Sequence, residues 1–285
     1  MSPTPTIYLR DVATTLTPNE TQRNTLIVAG CYILIIGILW HVPYLNKIIY
    51  PFKLLTVGFH EMSHAIMGVL TCATVHSITL DPDEGGATML SGGNPYLTLP
   101  AGYLGSSFIG AALIACGFDT DASKVACIIL GVFFIFTLWW ARRNLLTWVL
   151  ILGLVGLILL CWFVAGSVAL RYLVLFVGVM SCLYALWDII DDTIARKENS
   201  SDASAFAKIC GCCPSQVWGF IWLIQAFIFF AAGILVGLAA FKESAAQQKQ
   251  DASHFLPAPG SHSAALAVSP NIFLVSCVAL VLGAL

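Results

Sequence analysis

Charged side chains are scarce in this chain. Asp, Glu, Lys and Arg together make up 10% of its 285 residues, whereas soluble domains average about 25%. Hydrophobic residues make up 59%, and the mean hydropathy is +0.88. This composition excludes an ordinary soluble domain and predicts an integral membrane protein whose surroundings are the lipid bilayer. The formal net charge of −2 provides no basic surface, so we expect no nucleic-acid partner.

The first 25 residues lack the features of a cleavable signal peptide, namely a cationic start and a short apolar core. We therefore expect residues 1–25 to form a polar tail and the first apolar span to remain as an anchor. Glycosylation sequons at Asn19 and Asn199 fall on the same side if seven spans alternate, which favours a lumenal position for that side. The expected location is the endomembrane system (ER or Golgi) or the cell surface.

Long apolar runs dominate the rest of the chain. A crossing needs about 20 mostly apolar residues, and residues 26–241 contain enough such runs for a single transmembrane domain. We predict an all-α polytopic membrane protein with about seven transmembrane helices and a small β-hairpin between spans 2 and 3. The predicted spans are 26–45, 53–71, 99–118, 124–141, 145–166, 170–193 and 216–241.

The hairpin is indicated by two alternating stretches, "TVHSITL" and "ATMLSGG", on either side of the turn-forming "DEGG". The edge of such a hairpin could hold an extended peptide by strand addition. Small residues in "AGYLGSSFIGA" and in Gly233-x-x-x-Gly237 are interpreted as sites where helices approach closely. Beyond the spans, residues 242–270 are polar and proline-containing, which is typical of a flexible linker. Residues 271–285 form a short apolar segment whose role the sequence leaves open.

The stretch "GFHEMSHAIMG", residues 58–68, places three ionisable side chains inside an apolar run. Such residues are costly to bury in a membrane and usually mark a functional site. His60 and His64 are four residues apart, so on a helix they share one face and can hold a metal ion together. Glu61 lies beside the first histidine, where it can act as general base on a water that zinc acidifies. The pattern predicts a catalytic zinc site.

A catalytic zinc needs a third protein ligand. Met67 and Leu70 stand where the extended metzincin pattern requires Gly and His, so that arrangement is excluded. Glu84 follows His64 by a suitable separation but lies in a polar turn. The remaining candidates are Asp188, Asp191 and Asp192, which share one face of a helix. Asp188 is the deepest of the three in its span, and we predict it as the ligand, with Asp191 as the main alternative.

Four stretches of the chain resemble the site-2-protease-like zinc metallopeptidases, in particular their B-like branch. These are "HEMSHAIMG", "VHSITLDPDEGGATMLSGGN", "PAGYLGSSFIGAAL" and "WDIIDDTIARKENSSDA". The resemblance covers roughly residues 52–235 and implies an intramembrane metalloprotease whose zinc is held by two histidines of one helix and an aspartate of a later one. It implies His60 and His64 as ligands, Glu61 as base and Asp188 as the aspartate. Better-studied members carry Leu-Asp-Gly, whereas Ile189 follows Asp188 here.

The function that these observations predict is hydrolysis of peptide bonds in membrane-associated protein substrates, with Zn²⁺ as cofactor. A non-catalytic membrane protein that binds or escorts a client is the first alternative, and Glu61 would then be dispensable. A transporter that uses buried His and Asp as an ion path is the second alternative. Transport would require several carboxylates along the spans, and few occur outside residues 188–192.

Overall fold

The computed structural model describes residues 14–83, 85–163, 167–194 and 201–254. This part of the chain is mainly helical, with one pair of strands. In chain order, the elements are α1 (Glu20–His41), α2 (Asn46–Leu70), β1 (Thr74–Leu80), β2 (Gly86–Ser91), α3 (Pro95–Cys116), α4 (Thr120–Trp140), α5 (Leu145–Phe163), α6 (Val168–Ile194), α7 (Asp202–Cys210), α8 (Ser215–Ala240) and α9 (Ala245–His254).

Six helices of the described ranges are long and apolar enough to cross a membrane: α1, α3, α4, α5, α6 and α8. The 25-residue helix α2, which carries Lys47, Lys53, Glu61 and two histidines, is not among them. The prediction of a mainly helical protein with several helices long and apolar enough to cross a membrane is therefore confirmed. The predicted total of seven crossings is not confirmed, and a crossing at 53–71 stays a prediction.

Polar residues define where several helices begin. Asn19 forms a capping box with Gln22 at the start of α1, and Asn94 caps α3 just before Pro95. Ser201 caps α7 through its hydroxyl, which accepts a hydrogen bond from the amide of Ser204. Side chains of this kind satisfy amides that the first helical turn leaves unpaired. The cap at Ser201 fixes the next residue, Asp202, in the first turn of α7.

Helix α3 packs against α2, α6 and α8, and glycines allow the backbones to come close. A Cβ on Gly178 would lie 2.6 Å from the backbone nitrogen of Ile114, and one on Gly233 would lie 2.5 Å from the carbonyl oxygen of Ala111. Larger side chains at these two positions would force the helices apart. The interpretation of the small residues as sites of close helix packing is confirmed.

Strands β1 and β2 form the predicted antiparallel hairpin. Ile78 pairs with Thr88, and Leu80 pairs with Gly86. Ile78 and Leu80 are buried, so this face of the hairpin packs on the helices. The side-chain amide of Asn144, in the turn between α4 and α5, donates to the carbonyl oxygen of Leu80 at 2.8 Å. The hairpin is thereby attached to the helical bundle along β1.

The two ends of α8 lie close to different parts of the chain. Near its C-terminal end, the side-chain amide of Asn19 donates to the carbonyl oxygen of Lys242. Near its N-terminal end, Trp218 packs on Phe206 of α7, the helix that begins shortly after Asn199. Asn199 lies outside the described residues, so the shared side of the two sequons stays a prediction. The predicted compartment remains a prediction.

Part of the segment 242–270 forms helix α9, which packs on the bundle. The carboxamide oxygen of Gln248 accepts a hydrogen bond from Arg171 at 2.6 Å, and its nitrogen donates to the carbonyl oxygen of Phe118. Lys124 donates to the carbonyl oxygen of Ala252 at 2.7 Å. Residues 255–285 lie outside the described residues, so the predicted linker and the role of 271–285 stay predictions, as do the other domain boundaries.

Candidate metal centre

His60 and His64 lie on the same face of α2, as their spacing predicts. Their Nε2 atoms are 3.0 Å apart, and His64 is buried. The ring of Tyr103 from α3 packs edge-on against His60, with ring centroids 4.8 Å apart. Two imidazole nitrogens therefore converge on one point at the contact between α2 and α3.

The third side chain at this point is Asp202, from the first turn of α7. Its Oδ2 atom lies 3.0 Å from Nε2 of His60 and 2.9 Å from Nε2 of His64. Within the described residues, these three form the one group of His, Cys, Asp or Glu side chains close enough to share a metal ion. The sequence reasoning did not identify Asp202 as a candidate. The sequence signal that could have indicated it is Ser201, an N-cap residue directly before the apolar pattern of a short helix, because such a cap places Asp202 in the first helical turn.

Asp202 is ionised in this environment. Burial would raise the pKa of its carboxyl, but hydrogen bonds to His60 and His64 outweigh burial and hold that pKa well below its usual range. A carboxylate that accepts two hydrogen bonds from imidazoles is a good donor for a divalent cation, since metal ligands must be deprotonated.

His64 also has a fixed orientation. Its Nδ1 atom lies 2.7 Å from the carbonyl oxygen of Thr98 on α3. A carbonyl oxygen only accepts hydrogen bonds, so Nδ1 carries the proton and donates it. When a metal ion binds, Nε2 of His64 would give up its hydrogen bond to Asp202 and offer a lone pair to the metal, which is the arrangement in which histidine ligates a metal.

The dimensions of the three donors fit zinc. Tetrahedral ligands at about 2.0 to 2.1 Å from a zinc ion lie about 3.3 Å from one another, and the three donor atoms are 2.9 to 3.0 Å apart. A small outward movement would open the group to zinc-ligand spacing. Gly102 leaves the space that the two imidazoles occupy, because a Cβ there would overlap the Nε2 atoms of both histidines.

Glu61, the predicted base, points away from the surface and towards β2. It is 6% exposed, and the hydroxyl of Thr88 donates to its Oε2 atom at 2.6 Å. Its charge acts on His60, which places the carboxylate near the three donors without making it one of them. This position suits a proton acceptor beside a metal site.

The four carboxylates that the sequence offered as a third metal ligand are not part of the group of three donors in the described residues. Asp188 lies on α6, partly buried, and is near enough to His60 to act on it electrostatically. It is not in the group of three donors. Asp191 and Asp192 belong to α6, but their side chains are outside the described residues, as is Glu84. Asp188 as a ligand therefore stays a prediction, and Asp202 has the shorter approach to both histidines.

Comparison with known proteins assigns the chain to a family. A family model described as Peptidase M50B-like matches residues 29–233. The chain belongs to the M50B-like peptidases. The resemblance to site-2-protease-like metallopeptidases is thus confirmed, and membership indicates a metallopeptidase whose apolar helices are those of an integral membrane protein. Neither a curated protein nor a solved structure gives a significant match.

Proposed function

We propose that this M50B-like peptidase is an intramembrane zinc metalloprotease that hydrolyses peptide bonds of membrane-associated protein substrates. The observation that supports it most is the convergence of Nε2 of His60, Nε2 of His64 and Oδ2 of Asp202 within 3.0 Å of one another. Glu61 lies beside this group as a carboxylate that does not belong to it. Three protein ligands with a separate base is the arrangement of hydrolytic zinc sites.

In this proposal, His60, His64 and Asp202 hold Zn²⁺, which supplies Lewis-acid activation of a water molecule. Glu61 accepts the proton of that water and passes it to the leaving amine nitrogen. The Thr98 carbonyl keeps His64 in the correct tautomer. The hairpin at this site offers strand edges, and an extended substrate segment paired with one of them would present its amide for hydrolysis.

The identity of the third ligand is the part of the proposal that most needs a test. We favour Asp202 over Asp188 because it contacts both histidines directly. In the alternative arrangement, Asp188 would bind the metal and Asp202 would only orient the imidazoles. The multi-pass membrane location and the membrane-protein substrate are part of the same proposal.

The experiment is a measurement of zinc in the detergent-purified full chain. The variants are His60→Ala, Asp202→Asn, Asp188→Asn and Glu61→Gln, compared with the wild type. We expect about one zinc per wild-type chain and loss of at least tenfold in affinity for His60→Ala and Asp202→Asn. Asp188→Asn and Glu61→Gln should retain zinc, and Glu61→Gln should no longer cleave a quenched-fluorescent peptide containing one transmembrane segment.

Other results would change the assignment in defined ways. Zinc lost in Asp188→Asn but kept in Asp202→Asn would make Asp188 the ligand. A wild-type protein that binds no zinc would overturn the protease proposal and favour the escort protein. Cleavage that persists in Glu61→Gln would remove Glu61 as the base.

A further inference from the structure

The carboxylate of Glu61 is enclosed by strand β2. Thr88 Oγ1 lies 2.6 Å from Glu61 Oε2 and 2.9 Å from the carbonyl oxygen of the same residue. A threonine hydroxyl has one proton to donate, and the contact to the carboxylate is the shorter. Hydrogen bonds to a charged acceptor are roughly twice as strong as neutral ones, so the Thr88 hydroxyl donates its hydrogen bond to Oε2 of Glu61.

Gly86, also on β2, lies against the other side of the same carboxylate. A Cβ at this position would be 2.7 Å from both Cγ and Oε1 of Glu61. Its φ angle is not in the left-handed region, so the backbone does not require glycine here. Glycine is required by the lack of space, because any larger residue would push the carboxylate of Glu61 out of its present position.

The register of the hairpin accounts for this arrangement. Thr88 is paired with Ile78, and Gly86 is paired with Leu80. Residues directly opposite each other in an antiparallel pair project to the same face, and Ile78 and Leu80 are 1% and 4% exposed. Thr88 and Gly86 therefore belong to the face that packs on the helices. Ile78 itself packs with Met62 and Ala65 of α2, which follow Glu61 by one and four residues in the sequence.

From these contacts we infer that β2 orients the general base, with Thr88 as a positioning residue that holds Oε2 of Glu61 and Gly86 providing the room for Oε1. This inference rests on the proposed function, since it assigns a role within the same site. The hydroxyl fixes one carboxylate oxygen and leaves the other available for proton transfer. General-base catalysis depends on such fixed geometry, and a misplacement of about 1 Å can cost about a hundredfold in rate.

The test compares Thr88→Val, which removes the donor at nearly constant volume, with Thr88→Ser, which keeps it. The matched control is Thr137→Val, because Thr137 is a buried threonine on α4 whose hydroxyl, among the described residues, bonds only to the helix carbonyl of Phe133. Zinc content, Tm, kcat and KM are measured on the detergent-purified full chain with the quenched-fluorescent transmembrane peptide. Affinity for a peptide hydroxamate, which chelates zinc and hydrogen-bonds to a neighbouring base, is measured as a readout independent of turnover.

We expect Thr88→Val to lower kcat by about 10- to 100-fold with little change in KM, as for other residues that orient active groups. Zinc content should stay at the wild-type level, and hydroxamate affinity should fall in both Thr88→Val and Glu61→Gln. Thr88→Ser should restore kcat to within a few-fold of the wild type. Thr137→Val should leave both kcat and hydroxamate affinity unchanged.

Two results would overturn the inference. The first is wild-type kcat and hydroxamate affinity in Thr88→Val. The second is an equal loss in Thr88→Ser and Thr88→Val accompanied by a lower Tm, which would indicate a packing role. Failure of the proposed function gives a different result: the wild type would then hold no zinc and bind no hydroxamate, or Glu61→Gln would keep full activity.

Discussion

The Nδ1 atom of His64 and the carbonyl oxygen of Thr98 are 2.7 Å apart, and this contact joins the face of α2 that carries both histidines to α3. Gly102 follows one turn later on α3 and lies against both histidine Nε2 atoms. Helix α3 therefore acts on the site in two ways. It fixes the tautomer of one histidine, and its Gly102 leaves the space that both imidazoles occupy.

Gly102→Ala should reduce zinc binding. The added methyl group would overlap Nε2 of both His60 and His64, so we expect a loss of at least about tenfold in zinc affinity, as for other changes beside metal ligands. Gly131→Ala on α4 is the matched control, since no atom lies within 4 Å of its Cβ. The zinc content of both variants is measured by mass spectrometry. Full zinc occupancy in Gly102→Ala would contradict the prediction.

Phe206→Ala should weaken the metal site without touching a ligand. Phe206 is 7% exposed, and its ring packs against Tyr96, Trp218 and Trp222. Truncation of a buried phenylalanine costs about 3 to 5 kcal/mol, and this packing is what docks α7 and Asp202 on the histidines.

The comparison is with Phe220→Ala, because Phe220 lies on α8 and is 62% exposed. Zinc titration of both variants should show weaker binding for Phe206→Ala alone. Equal zinc affinities in the two variants would mean that α7 holds Asp202 by other contacts.

Gly178→Ala should destabilise the helical bundle. Its Cβ would lie 2.6 Å from the backbone nitrogen of Ile114, and overpacking of this kind costs about 1 to 3 kcal/mol. Gly153→Ala on α5 has no atom within 4 Å of the new Cβ and should be neutral or slightly stabilising. Thermal unfolding in detergent should give a lower Tm for the first variant only. A wild-type Tm for Gly178→Ala would show that α3 and α6 can separate at little cost.

Gln248→Met should destabilise the bundle while zinc binding stays intact. The substitution removes the carboxamide that accepts from buried Arg171 at 2.6 Å and leaves a charged group short of one partner, at a cost of about 1 to 3 kcal/mol or more. Lys249→Met, at an exposed position of the same helix α9, is the control. A lower Tm with unchanged zinc content is the expected result for Gln248→Met. Loss of zinc in this variant would indicate that α9 acts on the site.

The sequence predicted the histidine pair and Glu61 because their relative positions on a helix follow from their spacing alone. It also predicted the hairpin, since the alternation in β1 is local. The position of Asp202 next to the histidines depends on long-range packing of Phe206 against Trp218 and Trp222, which no local pattern expresses. In the sequence Asp202 stands in a polar stretch that resembles a solvated loop. Ranking Asp188 by depth, in turn, assumed that α2 crosses the membrane as a regular span.

The distance along the chain between the donors has a consequence for biosynthesis. His60 and Asp202 are separated by 142 residues, and the helices α3 to α6 are translated between them. While these helices are being made, the nascent chain contains two of the three donors and the proposed base, but not the third donor. The group of three can therefore form only after α7 has left the ribosome, and under the proposed function the unfinished chain would have no proteolytic activity until then.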